Sequence, residues 1–428
     1  MKIVAFVPAK GSSDRIQNKN LAVLDGEYLF KRKLRQLLEC PLIDQVVLDT
    51  DSDSIAALAA DLPVHRLCRP SALASNATDG HELFAWECGQ FSADIYIQAL
   101  CTGPFVTADT VSRAIDALIK SENHDSLVAV TQGKQYLWEC GEPQYGRGRI
   151  PNSVDLPEAT IESMSLYMVR AEVLPSQKRF GNHPLLFALN PTEAVDVNWP
   201  EDLKLAELIA AGVRARENLA LGALKPYITS AMLSDITREM GLSFALPNQI
   251  VGKGRFFGKA KTLLLDRPKP DESWQGIYDA LGSYQFVRPG DVIVVENRVP
   301  DHAYFGNLNA QLAIRAGAVG AVIDGVTRDQ DDVARLDFPV FSRGHYCVDI
   351  RFEGTVRAIN MPISIGNVRV ESGDYVFADG DGIVVLPEKL WPQVRQRILE
   401  GIEKEWRIGM AVALGTDPTT IHRQIGDF

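Results

Sequence analysis

Residues 8–21 read PAKGSSDRIQNKNL, a glycine and two serines set among three cations, and that combination can hold a polyanion. Gly11, Ser12 and Ser13 can turn backbone N–H groups toward an anion, while Lys10, Arg15 and Lys19 add positive charge around the same loop. This suits a triphosphate. The loop is not a Walker loop, because GxxxxGK followed by Ser or Thr is missing from it, and it is not GxGxxG. On composition alone, a solvated polar loop is the alternative.

A second concentration of chemistry lies in AYFGNLNAQLAIRAGAVGAVIDGVTRDQDD, residues 303–332. Gly306, Asn307 and Leu308 open a helix whose free N–H groups can receive a carboxylate, and the strand AVIDG delivers Arg328 and Asp329 to a nearby loop. An α-keto acid needs that arrangement: a guanidinium grips its carboxylate, and a carboxylate anchors a divalent ion that polarises the keto oxygen. Spacing alone leaves a surface salt bridge after a strand as the alternative. His302 and His345 read as structural, and Asp374, Asp379 and Asp381 as turn residues in glycine-rich loops.

The elements that must position these groups follow from the apolar rhythm. Up to about residue 216, short apolar runs (KIVAFVP, QVVLD, DIYIQAL, SLVAVT) alternate with helix-period segments such as Phe30, Leu34, Leu37 and Leu38, or Val111, Ile115 and Leu118. That is the rhythm of a doubly wound α/β sheet, whose ligands bind beyond the carboxyl ends of the strands. After the helix DLKLAELIAAGVRAREN, Gly222 and Pro226 mark a boundary, giving domains 1–218 and 225–428. Beyond it TLLL, DVIVVE, AVGAVIDG, YVFADG and GIVVLP read as strands of a second α/β domain, closed by a helix from about Trp391 to Trp406.

The chain has 428 residues, with 44 basic against 55 acidic groups and a net charge of −11. That excess of acid argues against a nucleic-acid-coating protein or an anionic-membrane binder. Six scattered cysteines without CxxC favour reduced thiols over a zinc site, so any metal must use oxygen ligands. Pro8 and Lys10 interrupt the first apolar run, so it reads as a strand rather than a signal peptide, and a cytoplasmic protein is expected.

The glycine-serine loop resembles the signature of sugar-acid cytidylyltransferases, the family that makes CMP-sialic acid and CMP-3-deoxy-manno-octulosonate. The likeness continues in register through VVLDTDSDSIAALA, LCRPSALASNATDG, QALCTGPFVTADT and IPNSVDLPEATIESMSLYMV to EAVDVNWPEDLKLAE. It implies a Rossmann-like nucleotidyltransferase fold and CTP as substrate. It also implies nucleotide contacts from Ala9, Lys10, Gly11, Ser12, Arg15, Lys19 and Asn20, with Lys19 stabilising the phosphates and Arg69 and Gly80 near the cytidine. Gln98, Glu162 and Tyr167 would lie around the sugar acid, and Asp196 and Asn198 would face Mg²⁺ or Mn²⁺. Three positions depart from the family: the usual D-x-D is Asp196-Val197-Asn198, Lys10 stands where Arg is usual, and Asp14 where a Lys or small residue is common.

Residues 303–332 resemble the RraA-like family, which includes 4-hydroxy-4-methyl-2-oxoglutarate aldolases, oxaloacetate decarboxylases and a regulator of ribonuclease E. LSDITREMG, RPGDVIVVE and VESGDYVFADGDGIVVLP extend the likeness. It implies catalysis by Arg328 and Asp329, substrate contacts from Gly306, Asn307, Leu308 and Arg328, and Mg²⁺ or Mn²⁺ on Asp329 and Asp332. Asn307 departs from the usual Gly or Asp. The expectation is a cytidylyltransferase fused to a metal-dependent aldolase or decarboxylase-like domain, assembled as a hexamer or larger homo-oligomer and acting on CTP, a sugar acid and a 2-keto acid. The alternative makes the second domain a non-catalytic oligomerisation or regulatory module.

Overall fold

The structure, a computed structural model, describes residues 1–12, 16, 18–75, 77–176 and 178–426. The chain divides into two compact units, residues 1–210 and 211–428. The division falls inside one helix, α5 (Pro200–Leu224), which continues through Gly222; Pro226 sits in the short 3₁₀ turn Lys225–Tyr227 that follows.

In the first unit, seven strands form one sheet among the described residues: β1 (Ile3–Pro8), β2 (Gln45–Thr50), β3 (His65–Cys68), β4 (Ile95–Ala99), β5 (Ser126–Lys134), β6 (Glu158–Arg170) and β7 (Pro184–Ala188). Their spatial order is β7-β5-β6-β4-β1-β2-β3. Alternation along β1 sends Ile3, Ala5 and Val7 to one face with Phe30, Leu34 and Leu37 of α1 (Leu29–Leu38) and Val111, Ile115 and Leu118 of α4 (Ala108–Lys120). Val4 and Phe6 go to the other, against Phe84 and Cys88 of α3 (Gly80–Gly89). Each fully buried Val, Leu, Ile or Phe among them contributes roughly 1.5–3 kcal/mol. The doubly wound architecture is as expected.

One strand breaks the parallel pattern: β6 runs antiparallel to both β4 and β5. It follows β5 in the chain without a crossover helix, and adjacent strands joined that way must reverse direction. Its register shifts between Glu162 and Tyr167, where Met164 takes a left-handed φ of 51°. Such a bulge re-aims the side chains around it.

In the second unit, eight strands form the main sheet among the described residues: β8 (Val251–Gly252), β9 (Phe256–Asp266), β10 (Asp291–Asn297), β11 (Gly320–Thr327), β12 (Val340–His345), β13 (Thr355–Ile359), β14 (Tyr375–Ala378) and β15 (Ile383–Leu386); the hairpin Ile363–Ile365 with Val368–Val370 stands apart from it. Their order is β8-β12-β11-β10-β9-β14-β15, with β13 also paired to β9. From β9 to β12 neighbours are parallel, and both faces are covered, by Ile293, Val295, Ala321 and Ile323 on one side and Val292, Val294 and Val322 on the other. The closing helix α9 runs from Trp391 to Ala413, beyond the expected Trp406, and α10 (Pro418–Ile425) follows it. The extension was illegible because its apolar residues Met410 and Val412 stay exposed, so no buried stripe marks it. Among the described residues, no helix is long and apolar enough to cross a membrane.

Candidate functional site

In the first unit the glycine loop leaves the end of β1 tied to β2. Ala9 N–H donates to the Asp49 carbonyl at 2.8 Å and Gly11 N–H to Asp51 Oδ1 at 2.9 Å. Asn20 is buried and donates from Nδ2 to the Lys10 carbonyl at 2.9 Å, which closes the loop on itself. Ser12 is exposed. Arg15, expected on the nucleotide, lies outside the described residues, as do Ser13 and Asp14.

Lys19, 179 residues away in sequence from Asn198, sets its Nζ 3.4 Å from Asn198 Oδ1. Asn198 Nδ2 in turn donates to Asp196 Oδ2. The segment is anchored by Val197 N–H on the Thr102 carbonyl at 2.8 Å, and by Asn198 and Trp199 N–H on Asp202 Oδ2 at 2.9 and 2.8 Å. Burial pushes the Asp196 carboxyl above its ordinary range, against hydrogen bonds from the Thr102 side chain and from Asn198 and the charge of Lys19. Asp196 Oδ1 is buried without a hydrogen-bond partner. A buried, orphaned carboxylate oxygen close to an amide oxygen is a donor set that fits a hard divalent cation such as Mg²⁺.

Arg69 and Gln98 both make contacts within the protein. Arg69 is buried and its Nε lies 3.0 and 2.9 Å from the two carboxylate oxygens of fully buried Asp49, so the guanidinium braces β2. Gln98 is fully buried at 0% exposure and donates from Nε2 to Glu87 Oε2 at 2.5 Å. Burial, with Asp49 beside it, holds the Glu87 carboxyl well above the usual range. Asp49, Arg69, Glu87 and Gln98 thus form a polar network beneath the sheet's ligand end.

Tyr167 lies opposite Gln98 in register and is buried; its hydroxyl donates to exposed Glu162. The guanidinium of Arg179 covers the Tyr167 ring, Cζ 4.6 Å from the centroid. Gly80 makes room for it: a Cβ there would stand 2.3 Å from Arg179 Cζ. Sequence reasoning missed Arg179, which follows Tyr167 by twelve residues in a stretch without a motif.

In the second unit, Gly306 begins α7 (Asn307–Ala316), and the carboxylate at its N-terminus belongs to the protein itself. Asp329 Oδ2 accepts the Asn307 N–H at 3.1 Å, and a Cβ on Gly306 would lie 2.5 Å from that oxygen. Asp329 reaches it from a left-handed backbone, φ 58°, at the start of α8 (Gln330–Arg335). Leu308 is 75% exposed. Arg328 points a terminal nitrogen at Asp349 Oδ2, 2.7 Å away, while its Nε is 3.9 Å from Asp329 Oδ2.

Asp332, the second expected metal ligand, is drawn into an ion pair with Arg335 at 2.7 Å. Of the expected pair, Asp329 alone is turned toward Arg328. That still suits Mg²⁺, which keeps several waters and is often held through one or two carboxylates. Among the described residues, no three His, Cys, Asp or Glu side chains converge as a metal cluster.

A cavity of about 450 Å³ opens beside Arg328, lined among others by Phe305, Thr327, Val333, Phe338 and His345. His345 meets Thr327 through Nδ1 and Oγ1 at 3.0 Å, so it borders the same space as the arginine. The three turn aspartates behave as read: Asp374 and Asp379 accept backbone N–H groups of Glu371, Glu388 and Ser230, and Asp381 N–H caps Asp379.

Compared with known families, residues 4–188 match a model described as Cytidylyltransferase and residues 230–385 one described as Aldolase/RraA. A 3-deoxy-manno-octulosonate cytidylyltransferase from Chlorobium phaeobacteroides is 31% identical over 191 residues, which covers 41% of this chain and 76% of the relative. The chain belongs to the cytidylyltransferase family. Behind the cytidylyltransferase unit comes an RraA-like one. A Halalkalibacterium halodurans protein, provisionally named 4-hydroxy-4-methyl-2-oxoglutarate aldolase, is 36% identical over 110 residues, 26% of this chain and 52% of that relative. The chain thus spans about half that relative's length. A solved CMP:2-keto-3-deoxy-manno-octonic acid synthetase complexed with CTP aligns with a TM-score of 0.38 at 16% identity, over 49% of this chain and 99% of that one.

Proposed function

We propose that the cytidylyltransferase unit joins CMP from CTP to a sugar acid of the 2-keto-3-deoxy type and releases pyrophosphate. The observation that carries this reading is the Lys19–Asn198–Asp196 cluster beside the Ala9–Gly11 loop in a chain of this family. Attack on the α-phosphate builds charge on the phosphoryl oxygens and on departing pyrophosphate, and a fixed ammonium stabilises that charge more than it stabilises bound CTP. Lys19 serves this role, beside a loop whose Ala9 and Gly11 N–H groups are tied to Asp49 and Asp51. Asp196 and Asn198 would hold Mg²⁺ or Mn²⁺, which supplies further positive charge against the phosphates. The reaction belongs in the cytoplasm, where CTP is available. A pyrophosphate-release screen with CTP, GTP and ATP against 3-deoxy-manno-octulosonate and N-acetylneuraminate tests it: release only with CTP and one acid supports the reading, and release with none removes it.

For the RraA-like unit we infer a lyase that yields pyruvate from oxaloacetate or a 4-hydroxy-2-keto acid. The cavity beside Arg328 favours this over a purely structural module, because a guanidinium lining a half-open cleft suits a small carboxylate. Arg328 binds and orients the substrate carboxylate, Asp349 fixes the guanidinium, and Asp329 would hold Mg²⁺ or Mn²⁺, which polarises a keto oxygen when bound. The full chain is read as a homo-oligomer of six or more, supported by exposed Tyr136, Trp138, Ile150 and Val154 around the β5–β6 connection. A single-chain mass by light scattering at micromolar concentration would remove the oligomer.

A further inference from the structure

We propose that Arg179 receives the carboxylate of the acid substrate, with Tyr167 as its platform and Glu162 as the acceptor for a hydroxyl of the same molecule. The inference rests on the sugar-acid reading above and names residues that sequence reasoning did not assign to the acid's charge.

Three observations converge. Among the described residues, no carboxylate pairs with Arg179, although Asp79, the cap of α3, is close enough for its charge to be felt. Other half-buried arginines among the described residues are engaged: Arg35 lies 2.7 Å from Glu27 and Arg357 2.6 Å from Glu272, while Arg32 and Arg170 donate to backbone carbonyls. Arg179 Nε is buried with no hydrogen-bond partner, a cost that a bound acceptor would offset.

Second, the guanidinium is held in place without spending its donors on an acid. Its Cζ lies 4.6 Å from the centroid of the Tyr167 ring, its own backbone N–H donates to His81 Nδ1 at 2.9 Å, and Gly80 leaves the space that a methyl group would fill. A guanidinium fork held over a ring, with no carboxylate on it, matches a planar carboxylate in a way that a lysine ammonium does not.

Third, the position is appropriate. Tyr167 faces Gln98 across β6 and β4, and Leu100 N–H bonds the Ser165 carbonyl at 2.9 Å. Thr102, two residues on, carries the Val197 contact that anchors Asp196 and Asn198. The cation therefore lies one strand away from the segment that positions the phosphate chemistry. The Tyr167 hydroxyl, which feels the Arg179 charge, donates to exposed Glu162. A cation and a carboxylate beside one tyrosine complement a polyhydroxylated acid, whose carboxylate goes to the first and whose hydroxyls donate to the second.

The test uses the full-length protein, with 3-deoxy-manno-octulosonate as probe, calorimetric titration for binding and pyrophosphate release for turnover. Arg179→Gln should weaken acid binding and raise the acid KM about tenfold or more, while the KM for CTP moves less than about twofold. Arg179→Lys should recover part of the loss, because it restores charge without the fork; the unchanged CTP affinity reports that both variants are folded. Acid affinity and acid KM equal to wild type in Arg179→Gln would overturn the assignment and leave the transferase reading standing. Wild-type protein that binds the acid through Arg179 but releases no pyrophosphate would do the reverse.

Discussion

Asn198 turns its amide nitrogen onto Asp196, where the family's usual second aspartate could only repel it. The substitution in the D-x-D pattern therefore has a local consequence: the pair is held together by a hydrogen bond before any cation arrives, and Lys19 is received by the amide oxygen instead of a carboxylate.

Asn198→Asp should thus make the first unit dependent on a divalent cation for stability. Two neighbouring carboxylates, one buried, lose the amide bond and repel, and a hard cation between them removes the repulsion. Thermal melting with and without millimolar Mg²⁺ measures this: the variant should melt several degrees lower than wild type in chelator and regain most of the difference with Mg²⁺. Equal melting of variant and wild type in chelator would mean that the amide is not what holds the pair.

Arg328→Lys and Asp349→Asn should separate grip from aim in the second unit. The lysine keeps the charge but loses the two-point contact with a substrate carboxylate, so pyruvate formation from oxaloacetate should fall by about a hundredfold. Asp349→Asn keeps the guanidinium and loosens the 2.7 Å contact that fixes it, so the KM should rise with a smaller change in kcat. A coupled pyruvate assay on the full chain reads both; equal activity of all three proteins would count against a substrate role for Arg328.

Much of this arrangement was readable in the sequence, and the unreadable part has definite physical causes. KIVAFVP and DVIVVE are buried strands that their apolar runs announce, and Lys19 and Asp196 stand in motifs. What the runs do not carry is direction and side-chain choice of partner. Nothing local tells β6 to run antiparallel, since that follows from its connection to β5. Asp329 reads as a free ligand until its left-handed backbone turns it onto the Asn307 N–H, and Asp332 until Arg335, three residues on, takes it. Gln98 reads as a substrate contact, while Glu87, one face of a helix away, claims its amide. Arg179 is legible only once β6 and α3 are brought together.

Glu87→Gln should flatten the pH dependence of stability. Burial raises the Glu87 carboxyl in the folded protein above its unfolded value of about 4.3, so the neutral form is the one that packs. Its contribution is complete below that unfolded value and is lost as pH rises through the folded one. The glutamine cannot ionise and keeps an acceptor oxygen toward Gln98. Denaturation midpoints between pH 4 and pH 9 should fall with pH more steeply for wild type than for the variant; parallel curves would show that Glu87 is charged in the fold at neutral pH.

The account stands most directly on the chemistry assigned to Lys19 and Asp196. Steady-state pyrophosphate release by full-length protein, with saturating CTP, Mg²⁺ and 3-deoxy-manno-octulosonate, compares wild type with Lys19→Ala and Asp196→Ala. Each variant should lose about a hundredfold or more in kcat, as expected when a group that stabilises transition-state charge is removed. Near-normal kcat in either variant, with wild type active, would contradict the assignment of the site.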